Sequence, residues 1–227
     1  MKLNEIYSHQ EESGNIFFSQ KRPMISLEVF PPKIGDIEAK TNELFAELNI
    51  LKKYNPSLIS VTYGAGGSTA ENSEKITKRI KEELNLTPMP HFTCVMKDEK
   101  FVENYLQTIL SMNVENILAL RGDIPKDTDN SNSRFQYANE LVEFINSKTN
   151  LSIGVAGYPE KHCDAPSLEK DIENLKRKVD AGADVIYTQL FFDNSHFHRY
   201  IQLVRDAGIE IPIIPGILPI TSYKQLE

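Results

Sequence analysis

The sequence contains little cysteine and no long hydrophobic run, and each absence narrows what the protein can be. Its 227 residues include two cysteines, Cys94 and Cys163. They form no CxxC motif and no Cys/His ligand spacing, so we expect no metal site. Sparse cysteine suits a reducing cytoplasm. No apolar run approaches the roughly 20 residues of a membrane helix, and residues 1–15 lack the apolar core of a signal peptide, so a cytoplasmic protein without a membrane partner is expected.

Charge and composition are those of an acidic globular domain. The 25 Lys and Arg residues are outnumbered by 32 Asp and Glu, and the net charge of −7 argues against nucleic acid as the main partner. Hydrophobic residues make up 40% of the chain, enough for a sizeable core. No linker or shift in composition divides the sequence, so residues 1–227 are predicted to form a single domain. The oligomeric state stays open, a homo-oligomer included.

Seven short apolar runs alternate with longer segments of helical periodicity. This alternation predicts βαβ units and a parallel sheet. The strands are predicted at 25–30, 57–63, 89–95, 116–121, 151–157, 184–190 and 211–215. Gly182 and Gly208 fall where the helices after the fifth and sixth strands should end.

A (β/α)8 barrel of the TIM type is favoured over an open doubly wound sheet. The open sheet normally has a glycine-rich turn after its first strand, whereas here that turn is FPPKIGD, without a GxGxxG motif. A complete barrel needs an eighth strand and typically about 250 residues. We therefore expect a barrel truncated after its seventh strand, with the first and seventh strands left as edges, and a natural protein that is longer.

Polar residues follow several predicted strands, where a parallel barrel collects its functional groups. Glu28 has apolar neighbours in ISLEVFPP, and burial there would raise its pKa, as a general acid requires; pairing with a lysine or arginine is the equal alternative. Arg121 and Asp123 in ALRGD form either a ligand clamp or an internal salt bridge. Thr62 and Tyr63 precede glycines that would let a ligand approach the backbone.

A second group of polar residues follows the fifth strand. VAGYPEKH supplies Tyr158 and His162, and NLKRKVDAG supplies Asn174, Arg177 and Lys178. Such a basic run is usually a solvated helix face. In an acidic protein it is also the best candidate for holding a phosphate or diphosphate.

Three further positions are informative mainly by their side-chain chemistry. A lone histidine after a proline, as at His91, is more often structural than catalytic. Gln189 offers a neutral amide that can both donate to and accept from a heterocycle. Phe191 and Phe192 are expected in the core.

An ordered set of motifs resembles the methylenetetrahydrofolate reductase family of the bacterial type. The motifs are SLEVFPPK, SVTYGAGGST, PHFTC, ALRGD, VAGYPEKH, NLKRKVDAGAD, TQLFFD and IIPGILP. The resemblance covers nearly the whole chain from about residue 24 onward. It implies an enzyme with a flavin-binding barrel that uses FAD and NADH or NADPH. The implied reaction reduces 5,10-methylenetetrahydrofolate to 5-methyltetrahydrofolate by ping-pong hydride transfer through flavin N5.

The resemblance also implies roles for individual residues. Glu28 is implied as the general acid that helps open the five-membered ring of the folate, and Asp123 as a catalytic residue that binds folate and tunes the flavin. Substrate-binding residues implied in this way are Glu28, Thr62, Asp123 and Gln189. The implied flavin-binding residues are Thr62, Tyr63, Ala65, His91, Arg121, Gly122, Asp123, Tyr137, Ala138, Tyr158, His162, Ala165, Asp171, Asn174, Arg177 and Lys178. Two alternatives stay open, a non-catalytic flavin- or folate-binding protein and a related flavin barrel of the proline-dehydrogenase type.

Overall fold

The computed structural model describes residues 1–8, 24–63, 70–124 and 133–222. The strands are β1 (Ser26–Val29), β2 (Leu58–Val61), β3 (Pro88–Thr93), β4 (Asn116–Leu120), β5 (Ser152–Gly157), β6 (Val185–Thr188) and β7 (Ile213–Ile214). The helices are α1 (Leu3–Ser8), α2 (Ile37–Leu51), α3 (Ala70–Glu82), α4 (Glu99–Ser111), α5 (Ala138–Lys148), α6 (Leu168–Asp180) and α7 (Asn194–Asp206), and a short 3-10 turn, Lys52–Tyr54, follows α2. None of the helices in these segments combines the length and apolarity that a bilayer span needs.

All seven strands run parallel and follow one another around the sheet in chain order, from β1 to β7. In the described segments β1 pairs only with β2 and β7 only with β6. The prediction of a TIM-type barrel with seven strands is therefore confirmed, and β1 and β7 are its edge strands within the described segments. The last strand is shorter than its predicted range because Pro212 and Pro215, which lack a backbone N–H, lie on either side of it.

The strands alternate between a face toward the helices and a face toward the barrel interior, as the pleat of a strand requires. In β1, Leu27 and Val29 join an apolar cluster with Phe45 and Leu48 of α2. Ser26 and Glu28 therefore point to the opposite face, into the barrel. The same parity places alternate residues of the other strands inside.

Helix α1 fills the barrel interior at the amino ends of the strands. Leu3, Ile6 and Tyr7 are buried in one cluster with Leu58, Met89, Leu118 and Val185, which come from four strands. The Leu3 amide donates to Asn116 Oδ1 at 2.9 Å, and the hydroxyls of Tyr7 and Tyr187 lie 3.2 Å apart. The sequence analysis did not predict this helix.

The helix ends confirm two predictions about glycine. Helices α6 and α7 end at Asp180 and Asp206, and two residues later Gly182 and Gly208 adopt φ of 115° and 72°. This left-handed region is readily accessible to glycine and ends helices. A Cβ on Gly182 would also lie 2.4 Å from the Asn146 amide nitrogen, so no larger residue fits without movement.

Candidate active site

The carboxyl ends of the seven parallel strands meet at one rim, opposite helix α1. Glu28 lies near the end of β1, Thr62 follows β2, Arg121 follows β4, Tyr158 follows β5 and Gln189 follows β6. Because parallel strands end on the same side, the loops after them share this rim. Residues far apart in the sequence thus surround one opening.

Glu28 faces that opening from β1. Its side chain is exposed, yet neighbouring protein atoms desolvate the carboxyl enough to raise its pKa. Within the described segments no lysine or arginine forms an ion pair with it. Of the two sequence interpretations, the carboxyl with a raised pKa fits this geometry better than the ion pair. Such a carboxyl retains its proton to higher pH, which suits proton donation.

His91 lies deeper in the interior of the barrel. It belongs to β3 and has the same parity as Met89, whose side chain packs inside with α1. Burial lowers the pKa of its imidazole to about 4. The ring is therefore neutral near pH 7, so its two nitrogens offer one donor and one acceptor.

Arg121 pairs with an aspartate that the sequence analysis missed. Its Nη2 donates to Asp164 Oδ2 at 2.8 Å, while Asp123 is exposed. The internal salt bridge considered from the sequence, between Arg121 and Asp123, is not the pairing that the structure shows. Within the described residues Asp123 forms no ion pair, so its carboxylate can face a ligand.

Gly122, between these two residues, allows a close approach of neighbouring strand ends. Its φ is 85°, and a Cβ there would lie 2.9 Å from both Thr93 Cβ and Val95 Cγ1. Any side chain would push the end of β4 away from the end of β3. The glycine therefore fixes where Arg121 and Asp123 project.

Helix α6 presents a charged face to the rim. Asp171 and Lys178 lie on the same face as buried Leu175, at helical spacing. Lys178 Nζ donates to the carbonyl oxygen of Ala156 at 2.6 Å and lies 5.9 Å from the centre of the Tyr158 ring. Burial lowers the pKa of Lys178 to about 8, although Asp171 opposes the shift.

Tyr158 is surrounded by the same charges. Burial raises the pKa of its hydroxyl, Asp171 and Asp123 raise it further, and Arg121 opposes them. Its ring meets that of His162 edge-on, with centroids 4.7 Å apart. The His162 amide in turn donates to Asp171 Oδ2 at 3.0 Å. The predicted groups after β4, β5 and in α6 are thus brought together.

The loop between β5 and α6 is held by Lys161, which the sequence analysis also missed. Lys161 has φ of 80°, and its ammonium donates to the carbonyl oxygens of His162 at 3.0 Å and Ala165 at 2.6 Å. Ala165 is buried. The sequence signal was a lysine between two turn-forming stretches, which by itself indicates only a solvated charge.

The remaining predicted residues are more scattered. The ring of Tyr63 packs outside the barrel, 5.6 Å from Phe92 and 6.0 Å from Tyr105. Tyr137 is exposed at the start of α5, which Ala138 begins. Ala65 lies outside the described residues, and among those that the structure describes no side-chain contact joins Tyr63 or Tyr137 to the charged cluster.

Four more predicted residues remain: two follow strands at the rim and two lie on α6. Thr62 is partly buried and its amide donates to Val29 O at 3.0 Å. Gln189 is exposed, with its amide oxygen accepting from the Leu190 N–H at 3.0 Å. Asn174 is partly buried and Arg177 is exposed.

One core prediction near this rim was wrong. Phe192 is 70% exposed, whereas Phe191 is partly buried and stacks on Phe197 with centroids 4.7 Å apart. Both residues lie between the end of β6 and the start of α7, and Phe192 is in a bend that leaves its ring in solvent.

Comparison with known families gives a match over residues 15–227 to the family described as Methylenetetrahydrofolate reductase. A 5,10-methylenetetrahydrofolate reductase from Pectobacterium carotovorum subsp. carotovorum is 36% identical over 227 residues, which cover 99% of this chain and 74% of the relative. Methylenetetrahydrofolate reductase (NADH) 1 from Arabidopsis thaliana is 39% identical over 219 residues, which cover 90% of this chain and 36% of the relative. The chain thus spans about a third of the plant relative's length and about three quarters of the bacterial one's.

A solved structure supports the barrel independently of sequence. An uncharacterised protein from Clostridium thermocellum that binds two copies of 5-methyl-5,6,7,8-tetrahydrofolic acid superposes with a TM-score of 0.58. The match covers 85% of this chain and 65% of the other, at 10% sequence identity. At that identity the likeness shows the shared fold alone.

Proposed function

The chain belongs to the methylenetetrahydrofolate reductase family, and from that membership we propose that it carries out the FAD-dependent reduction of 5,10-methylenetetrahydrofolate to 5-methyltetrahydrofolate, with NADH or NADPH as the electron donor. The observation that carries the proposal is Glu28: a carboxyl with a raised pKa, facing the barrel opening without an ion-pair partner in the described segments. In this role Glu28 donates a proton to the five-membered ring of the folate and helps open it to the 5-iminium cation.

The charged cluster of α6 supports a site for the FAD diphosphate. An ammonium group has three N–H donors, and within the described segments one of those of Lys178 is used, by Ala156 O. A second charge, Arg121, lies close enough to shift the pKa of Tyr158 beside it. Two cations around a partly buried tyrosine suit a diphosphate, because phosphate oxygens accept charge-assisted hydrogen bonds. Arg177 and Asn174, on the same helix, would extend this binding surface.

A bound flavin would supply the hydride chemistry that links the nicotinamide and the folate. The protein's own groups position the substrates around it. Asp123, exposed at the end of β4, would accept hydrogen bonds from the pterin. The negative charge of Asp123 would also disfavour additional negative charge on a reduced flavin beside it. Gln189 would contact the pterin and, in the other half-reaction, the nicotinamide.

The visible spectrum of the purified chain tests this function directly. We expect a yellow protein whose flavin absorbance is bleached by NADH without oxygen and restored by methylenetetrahydrofolate. A chain that stays colourless after reconstitution with FAD would refute the proposal. Flavin that binds but is not bleached by NADH or NADPH would instead favour the non-catalytic binding protein. Bleaching by proline and not by a nicotinamide would favour the proline-dehydrogenase type.

A further inference from the structure

Three potential metal ligands of different kinds meet at the tip of the loop between β5 and α6. His162, Cys163 and Asp164 each direct one ligand atom into a group whose members lie within 4.8 Å of one another. Cys163 Sγ lies 3.8 Å from His162 Nδ1 and 3.6 Å from Asp164 Oδ1, and His162 Nδ1 lies 3.9 Å from Asp164 Oδ2. In a tetrahedral zinc site, bond lengths of 2.0–2.3 Å place ligand atoms about 3.3–3.6 Å apart. The two separations from Cys163 Sγ, 3.8 Å and 3.6 Å, exceed those zinc-site values by at most a few tenths of an ångström.

Contacts outside this group hold the ligands in place. Arg121 binds Asp164 Oδ2 at 2.8 Å, which leaves Oδ1 as the carboxylate oxygen nearest the thiol. The edge-on contact with Tyr158 and the hydrogen bond to Asp171 fix His162, while Lys161 Nζ binds the carbonyl oxygen of His162. Metal sites commonly use such outer contacts to orient their ligands.

The histidine presents the nitrogen that a metal requires. His162 Nδ1 accepts a hydrogen bond from the Asp164 amide at 3.1 Å, so this nitrogen bears a lone pair. A bound cation would replace that hydrogen bond, and the amide of exposed Asp164 would turn to water. Exposure of Cys163 and Asp164 also leaves room for water as a fourth ligand.

We propose that His162, Cys163 and Asp164 form a binding site for one divalent cation of the zinc type. On binding, the Cys163 S–H bond breaks and an S–metal bond forms, with the proton released to solvent. Thiolate and carboxylate together neutralise the two charges of the cation. The proposal departs from the sequence expectation of no metal site, because three adjacent residues match no known ligand spacing. The site shares His162 with the implied flavin-binding residues and Arg121 with the proposed diphosphate site. Zinc binding is measured without reductase activity, so either proposal can fail while the other stands.

The other cysteine provides an internal comparison. Cys94 is fully buried in the apolar cluster around β3 to β5, and burial raises the pKa of its thiol to about 12. It therefore cannot readily form a thiolate or reach a cation in solution. Metal binding by a cysteine of this chain should consequently depend on Cys163.

Zinc binding to the metal-stripped chain tests the proposal, with Zn²⁺ titrated against a chromogenic chelator. We expect one Zn²⁺ per chain. Cys163→Ser should bind Zn²⁺ at least about 100-fold more weakly, because losing a ligand should cost more than the roughly 10- to 100-fold that follows from changing an outer contact. Asp164→Asn should weaken binding by a smaller factor. His196→Gln is the matched control, because His196 pairs with Glu160 outside the group, and it should bind as the wild type does. Undiminished binding by Cys163→Ser would overturn the site.

Two measurements keep the test decisive if a variant behaves unexpectedly. The wild-type chain with Co²⁺ should show a near-ultraviolet thiolate-to-cobalt band that Cys163→Ser lacks. Zn²⁺ should also protect Cys163 of the wild-type chain from alkylation, mapped by mass spectrometry, with buried Cys94 unreactive throughout. A cobalt complex without the thiolate band, or alkylation unaffected by Zn²⁺, would contradict the proposal without any variant.

Discussion

Replacing Leu3 with alanine tests whether helix α1 contributes to the stability of the barrel. Leu3 is 0% exposed and packs with Leu58, Met89, Leu118 and Val185, each from a different strand. Burial of this kind makes Leu→Ala cost about 2–5 kcal/mol. We expect Leu3→Ala to lower the free energy of unfolding by about 3 kcal/mol, in the middle of this range. The four strands are fixed and cannot close the cavity, but the short helix can shift partly into it.

Urea unfolding followed by circular dichroism measures this loss, from the shift in midpoint at a common slope. Tyr7→Phe removes only the hydroxyl that lies 3.2 Å from that of Tyr187, and about 1 kcal/mol is expected. Asn4→Ala is the control, since Asn4 is exposed on the same helix, and it should change stability by less than about 0.5 kcal/mol. If Leu3→Ala proved as stable as Asn4→Ala, α1 would not be docked in solution and the reasoning would fail.

The remaining predictions concern the candidate active site. Glu28→Gln should slow folate reduction by about 100-fold or more, the usual contribution of a general acid, and leave flavin reduction by NADH within about twofold, as measured by anaerobic stopped-flow absorbance. Equal losses in both half-reactions would make Glu28 structural. Asp123→Asn should weaken folate binding and make the flavin easier to reduce; a redox titration that gives the wild-type potential would remove the tuning role. Because Lys178 loses its proton as the pH rises through about 8, FAD affinity in fluorescence titrations should fall above that pH. Lys178→Met should bind FAD weakly, and its affinity should not fall with pH. Lys176→Met, which alters a lysine paired with Asp180, should keep both the wild-type affinity and its fall above pH 8. A wild-type affinity that is constant from pH 7 to 9.5 would contradict the role of Lys178.

The strands and most helices were predictable because their hydrophobic periodicity is local. Helix α1 was not, because six residues are too few to show a periodic pattern and too few to be stable alone. Its stability comes from partners such as Asn116, 113 residues away from Leu3. The sequence of residues 1–15 alone does not specify these distant partners.

The candidate site was predictable in position but not in pairing. The end of a parallel strand predicts a place on the rim, and this placed Glu28 and Arg121 there. The partner of Arg121 is Asp164, 43 residues further along the chain, and only the folded loop brings the two together. Tyr63 illustrates the opposite case, since its place after β2 indicated the rim, whereas its ring packs against Phe92 outside the barrel.

The contacts of α1 also impose an order of assembly during synthesis. Each strand pairs with the strand made just before it, so the sheet can grow as the chain emerges. Helix α1 emerges before all seven strands, but its hydrogen-bond partners Asn116 and Tyr187 are made 113 and 180 residues after Leu3 and Tyr7. The apolar face of Leu3, Ile6 and Tyr7 therefore lacks its native partners until the strand that contains Val185 has been made. A helix that is translated before every strand of the sheet is thus among the last of the described elements to reach its native contacts.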